Sequence, residues 1–197
     1  MTDFFIKAKQ HFQKNLPFVI YKKPNSELIN GLFQNDDKLN FSQNLSEIGF
    51  VFTSFDGNKK ILIPKNNSEE IIAHFKPEVY QLNSKIESNF NPTDKNNFEF
   101  LVSKAIQEIE NNSFSKVVLS RKEILKISSL DIIETFKRLL QKYDNAFVYV
   151  WFHPKVGLWF GATPETLLTI SGQQFETMSL AGTQVFVDHK IVWKNKE

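Results

Sequence analysis

The sequence predicts a mixed α/β (α+β) chain built mainly from antiparallel sheets flanked by helices. Three observations point there. Twenty Phe, three Trp and four Tyr stand among 197 residues, and aromatic side chains bury large areas on β-rich cores. Short runs of β-favouring residues alternate with turn residues. Two longer stretches repeat their apolar residues at helical spacing instead.

Phe18-Val19-Ile20-Tyr21, Ile48-Gly49-Phe50-Val51-Phe52 and Lys60-Ile61-Leu62-Ile63 read as strands by β-propensity and turn flanks. Asp56-Gly57-Asn58 supplies a hairpin turn between the last two. From Pro64 to Asp94 the chain is rich in Asn, Ser, Glu and Lys and holds Pro64, Pro77 and Pro92. Such composition predicts a connecting region, with one short helix over Ser68 to Phe75. Phe98, Leu101, Val102, Ala105, Ile106 and Ile109 predict an amphipathic helix over 95–110, ended by Asn111-Asn112.

Lys116-Val117-Val118-Leu119-Ser120-Arg121 then reads as a strand. A second helix follows, with Ile132, Ile133, Phe136, Leu139 and Leu140 on one side, begun at Ser129 and stopped at Asp144-Asn145. Ala146 to Phe152, Gly157 to Phe160, Glu165 to Ile170 and Gln173 to Leu180 complete the run as strands. The third and fourth of these join across Ser171-Gly172 as a hairpin, and the many hairpins favour antiparallel pairing. The expected organisation is a strand-rich region with a linker over 1–92 and a second region over 93–197.

Composition narrows the function classes. The 24 basic and 22 acidic residues leave a net charge of +2 and are mixed along the chain, without the basic stripe that a nucleic-acid backbone demands. The absence of cysteine excludes disulfides, thiolate metal sites and a Cys nucleophile, and it fits a reducing compartment, the cytoplasm being the expected one. Asp3, Lys7, Lys9 and Lys14 interrupt the N-terminal apolar residues, and no later run approaches the ~20 apolar residues of a membrane span. His11, His74, His153 and His189 share no i, i+4 pairing or motif, so they read as surface or turn residues and not as a zinc site. His153 precedes Pro154 and reads as a turn residue.

Three places could carry chemistry. Lys116 opens an otherwise apolar strand; a lysine there caps a strand end and reaches solvent, or it serves as a base. Gly161-Ala162-Thr163-Pro164-Glu165 follows the aromatic run Leu158-Trp159-Phe160, so a tight bend ends in a carboxylate at a strand start, either solvated or catalytic. Leu180-Ala181-Gly182-Thr183 is a small-residue turn, where glycine serves turn geometry or lets backbone amides approach a ligand.

In order and spacing these segments resemble the chorismate-utilising family of isochorismate, salicylate, anthranilate and aminodeoxychorismate synthases. The matching residues are Lys116-Val-Val-Leu-Ser-Arg121, Phe160-Gly-Ala-Thr-Pro-Glu165 and Ser179-Leu-Ala-Gly-Thr183, with Gly49 to Phe52 a weaker match. The fold implied is the N-terminal portion of the anthranilate synthase component I-like chorismate-binding fold, with 93–197 the first part of the catalytic domain. The resemblance implies that Lys116 is the general base activating water for attack at C2 of chorismate. Glu165 is then the general acid that protonates the departing C4 hydroxyl, and Gly182 and Thr183 bind substrate.

Chemistry requires two such groups, because water is a poor nucleophile and hydroxide a poor leaving group. A lysine base at neutral pH calls for burial or a nearby cation, and a carboxylic acid donor calls for an apolar wall of the kind Trp159 and Phe160 could help build. Family members that install ammonia carry glutamine where this chain has Lys116, so the resemblance implies water addition and no glutaminase partner. It favours an isochorismate synthase, with salicylate synthase or a non-catalytic chorismate-binding fragment as alternatives, in menaquinone or siderophore biosynthesis. It also implies magnesium, whose glutamate ligands would lie beyond Glu197, so that no metal ligand is assigned within the chain and a truncated or partial protein is expected.

Overall fold

The structure, a computed structural model, describes residues 2–76, 92–125 and 129–178. Its elements are helix α1 (Thr2–Gln13), strands β1 (Phe18–Lys22), β2 (Leu28–Gln34), β3 (Asn40–Phe41), β4 (Gly49–Thr53) and β5 (Lys60–Pro64), a 3-10 turn (Lys65–Asn67) and strand β6 (Ser68–His74). Helices α2 (Pro92–Glu110) and α3 (Ile132–Lys142) follow, then β7 (Phe147–His153), β8 (Gly157–Thr163), β9 (Thr169–Ser171) and β10 (Gln174–Glu176). Two compact units result, one of Met1–Glu78 with Asp131–Glu197 and one of Val79–Leu130.

The first unit is organised by a sheet of order β6-β2-β1-β7-β8 in which every neighbouring pair is antiparallel. Strands from both sides of residue 92 therefore share one sheet. Alternation along β1 and β7 assigns the two faces. Phe18, Ile20, Val148, Val150 and Phe152 point to one side and pack with Phe4, Phe5 and Ala8 of α1 and with Ile132, Phe136 and Leu140 of α3. Val19, Leu32 and Trp151 point to the other and pack on Ile61 and Ile63 of a second sheet, of order β3-β5-β4. Each buried Phe, Leu or Ile contributes about 1.5–3 kcal/mol of transfer free energy. The sheet thus carries cores on both faces.

Local chemistry explains most boundaries. Asp131 caps α3, its carboxylate accepting from the amides of Ile133 and Glu134, so the cap lies two residues after Ser129. Gly57 takes φ of 72° in the turn between β4 and β5, as the Asp-Gly-Asn signal requires. In the second unit, Asn112 adopts φ of 59° while the Ser113 amide donates to the Glu108 carbonyl at 2.9 Å, which closes α2 where Asn111-Asn112 was expected to end it.

Several expectations are corrected. Ser68–His74 is not a helix but the edge strand β6, paired residue by residue with β2 from Leu28↔His74 to Gln34↔Ser68. Helix α1 and strand β2 are elements that the sequence reading did not name. Lys116 to Arg121 forms no strand, because no described segment pairs with it, and a β-strand exists only through its ladder. Strand β9 begins at Thr169, so Glu165 lies in the link before it rather than at a strand start.

Candidate functional site

Strands β7 and β8 form the arm that carries Glu165. Their hairpin turns through Pro154 to Val156, where the Lys155 amide donates to Nδ1 of His153 at 3.1 Å and the Val156 amide to its carbonyl at 2.9 Å. His153 therefore does serve the turn, yet it is fully buried, with Nε2 3.4 Å from the Lys38 carbonyl oxygen. His11 is likewise buried, Nε2 lying 2.8 Å from the Gln34 carbonyl oxygen, which corrects the surface reading of that residue. Burial lowers the pKa of both imidazoles below the ordinary value.

β8 ends at Thr163, and Pro164-Glu165 follows directly. The Thr163 hydroxyl donates to the Glu165 carbonyl at 3.3 Å. One residue on, the Thr166 carbonyl accepts the Met178 amide at 3.1 Å, and the Leu167 carbonyl accepts the Thr177 hydroxyl at 2.7 Å. The backbone at Glu165 is thus fixed from both sides, while its side chain is exposed. Trp159 and Phe160 do not form one apolar wall for it. Successive strand residues face opposite ways: Trp159 packs toward Phe52 at 5.6 Å between ring centroids, and Phe160 joins the core beneath the helices.

Gly161, inside the motif, pairs with Tyr149 of β7. A methyl group at Gly161 would stand 2.6 Å from Cζ and 2.7 Å from Oη of that ring, so the phenol occupies the space a side chain there would need. Tyr149 is half-buried, with Phe52 and Phe147 at 5.9 and 6.2 Å between centroids, and burial raises the pKa of its hydroxyl. Sequence reading passed over this tyrosine. Its signal is visible only once register pairs it with the motif glycine.

Lys116 lies in the other unit, exposed, in an irregular segment after α2. Arg121 of the same segment pairs with Glu123 at 3.5 Å. Lys116 and Glu165 belong to different units, and Gly182 and Thr183 fall outside the described residues. Among the described residues no three His, Asp or Glu side chains gather as a metal site. No helix there is long and apolar enough to cross a membrane. A depression of about 520 Å³ beside Asp36 and Gln43 and one of about 550 Å³ on the β9–β10 hairpin contain neither motif residue.

Residues 49–188, more than half of the sequence, match the family described as Chorismate binding enzyme, and the chain belongs to that family. No curated protein and no solved structure gave a match. The matched span covers all three motifs and runs from β4 to beyond β10.

Proposed function

We propose that the chain acts on chorismate as an isochorismate synthase-type enzyme, with Lys116 as base and Glu165 as acid. The observation that supports this is the family match over 49–188, a span that contains Lys116, Glu165, Gly182 and Thr183. Lys116 removes a proton from water as its oxygen bonds to C2. The diene electrons shift, the C4–O bond breaks, and Glu165 donates the proton with which that hydroxyl leaves as water. Gly182 and Thr183 hold a substrate carboxylate through backbone amides and a hydroxyl, the donors that suit an anion.

A lysine at position 116 favours water over ammonia as the incoming group. Attacking water must give up a proton, which a deprotonated amine can accept, whereas a glutamine amide has no proton-accepting nitrogen. Magnesium, for which the described residues provide no assigned ligand, would neutralise carboxylate charge on the substrate. The test is incubation of the protein with chorismate and magnesium, with products resolved by chromatography and mass. Isochorismate supports the reading, salicylate with pyruvate moves it to salicylate synthase, and calorimetric binding of chorismate without any product reduces it to a binding chain.

A further inference from the structure

We infer that Tyr149 is a positioning residue that clamps β8 and thereby fixes the direction in which Glu165 leaves the sheet. The inference rests on the proposed role of Glu165. Strand β8 is an edge of the sheet, bonded to β7 alone among the described strands. An edge strand with a glycine in its interior is weakly held, since glycine contributes no side chain and carries the largest backbone entropy. Gly161 is such a residue, only four positions before Glu165.

An aromatic ring laid across a glycine from the neighbouring strand compensates for this weakness. Tyr149 does so here, occupying with Cζ and Oη the volume that a side chain on Gly161 would fill. The ring is in turn held from behind by Phe52 of β4 and Phe147 of its own strand. The row of side chains on this face of β8 reads Trp159, Gly161, Thr163, and the gap in its middle is where the phenol fits. Thr163, last in that row, donates to the Glu165 carbonyl. Tyr149 therefore bears on Gly161, two residues along β8 from the threonine whose hydroxyl holds the backbone of Glu165.

Two kinds of variant separate a clamp from mere core packing. In Tyr149→Val the ring is lost; in Tyr149→Phe it is kept. Hydrogen exchange is followed in the segment 157–166 and, as an internal standard for global opening, in 18–22 of the central strand. The clamp predicts that Tyr149→Val speeds exchange in 157–166 about 10-fold or more relative to 18–22, while Tyr149→Phe stays within about 2-fold of the parent. Equal acceleration of both segments, or none in 157–166, overturns the inference. Gly161→Ala should mimic Tyr149→Val, and the double variant Gly161→Ala with Tyr149→Val should recover at least part of the protection, since the methyl then meets no ring.

In turnover of chorismate, the clamp predicts for Tyr149→Val a fall in kcat of about 10-fold with KM changed less than about 3-fold. A fall in kcat no larger than the loss of folded protein in the same sample counts against it, since unfolding lowers apparent kcat and leaves KM unchanged. Glu165→Gln is measured beside it. If that variant keeps full turnover, the acid assignment fails, and the exchange comparison then judges the clamp alone.

Discussion

Replacing Asp144 by alanine leaves an ammonium group without its carboxylate in the interior of the first unit. Lys22 closes β1 on the same face as Phe18 and Ile20, with its side chain 1% exposed, and its Nζ donates to the carbonyl of Asp144 at 2.7 Å and to its Oδ1 at 3.1 Å. The two partners are unequal, because the Asp144 side chain is 80% exposed. Removing the carboxylate costs about 1–3 kcal/mol, the penalty for an under-satisfied buried charge with one remaining acceptor. Lys22→Met removes the charge while keeping a stem of similar length, and a buried ion pair replaced by apolar atoms is often neutral or better, so a change within about 1 kcal/mol is expected. Lys22→Ala strips about three buried methylenes at about 0.8 kcal/mol each and opens a cavity, for a loss of about 2–4 kcal/mol. Urea unfolding of the three variants should rank Met above Asp144→Ala and Lys22→Ala. Greater destabilisation by Lys22→Met than by Asp144→Ala would show that the ammonium itself, and not its stem, holds the end of β1.

The two buried histidines predict an acid-sensitive fold. Both have pKa values lowered by burial from about 6.5, so the unfolded chain binds more protons than the folded one as pH falls through that value. The stabilisation is complete above the unfolded pKa and is lost on going from about pH 7 toward 5, and the thermal midpoint should fall across that window, less steeply in His153→Gln. Asp36, Glu47 and Asp56, whose carboxyls are held low first of all by hydrogen bonds from Gln34, Gln43 and Ser54 respectively, act the same way in a separate window below about pH 4.5. Asp131→Ala removes the cap of α3 and should cost about 1 kcal/mol by denaturant unfolding, with Asp131→Asn largely neutral; equal loss in both would point to charge rather than capping.

Sequence patterns revealed those elements whose local and tertiary demands agree. β1, β4 and β5 combine β-branched and aromatic residues with clear turn flanks, and α3 presents a full apolar stripe that the sheet then covers. Strand β2 sends a conflicting signal. Asn30-Gly31 has the composition of a hairpin turn, yet Gly31 sits mid-strand opposite Ile20, where a Cβ would stand 2.6 Å from Cε2 of Phe33 and 3.0 Å from Cζ of Phe4. β6 conflicts in the opposite way. Ser68-Glu-Glu-Ile-Ile-Ala-His74 has helix-favouring Glu and Ala, but the free edge of β2 captures it as a strand, and the alternation of exposed and half-buried residues follows from that position. Helix α1 is legible in the spacing of Phe4, Phe5, Ala8 and the partly buried Phe12, which line one face against the core, although Lys7 and Lys9 interrupt the apolar residues.

The candidate site was legible as motifs, because glycines, prolines and an isolated lysine stand out against a β-rich background. Its support was not. Tyr149 is one aromatic among many in the sequence, and its relation to Gly161 follows from a cross-strand register that hairpin length alone sets. The same holds for Thr163, whose hydroxyl bond to the Glu165 carbonyl depends on where β8 stops.

Water labelled with oxygen-18 tests the proposed reaction most directly. Chorismate converted in labelled water should give isochorismate two mass units heavier, with the new oxygen at C2, and Lys116→Ala should abolish the conversion. Unlabelled isochorismate, or unchanged turnover in Lys116→Ala, would contradict the assignment of a lysine-activated water.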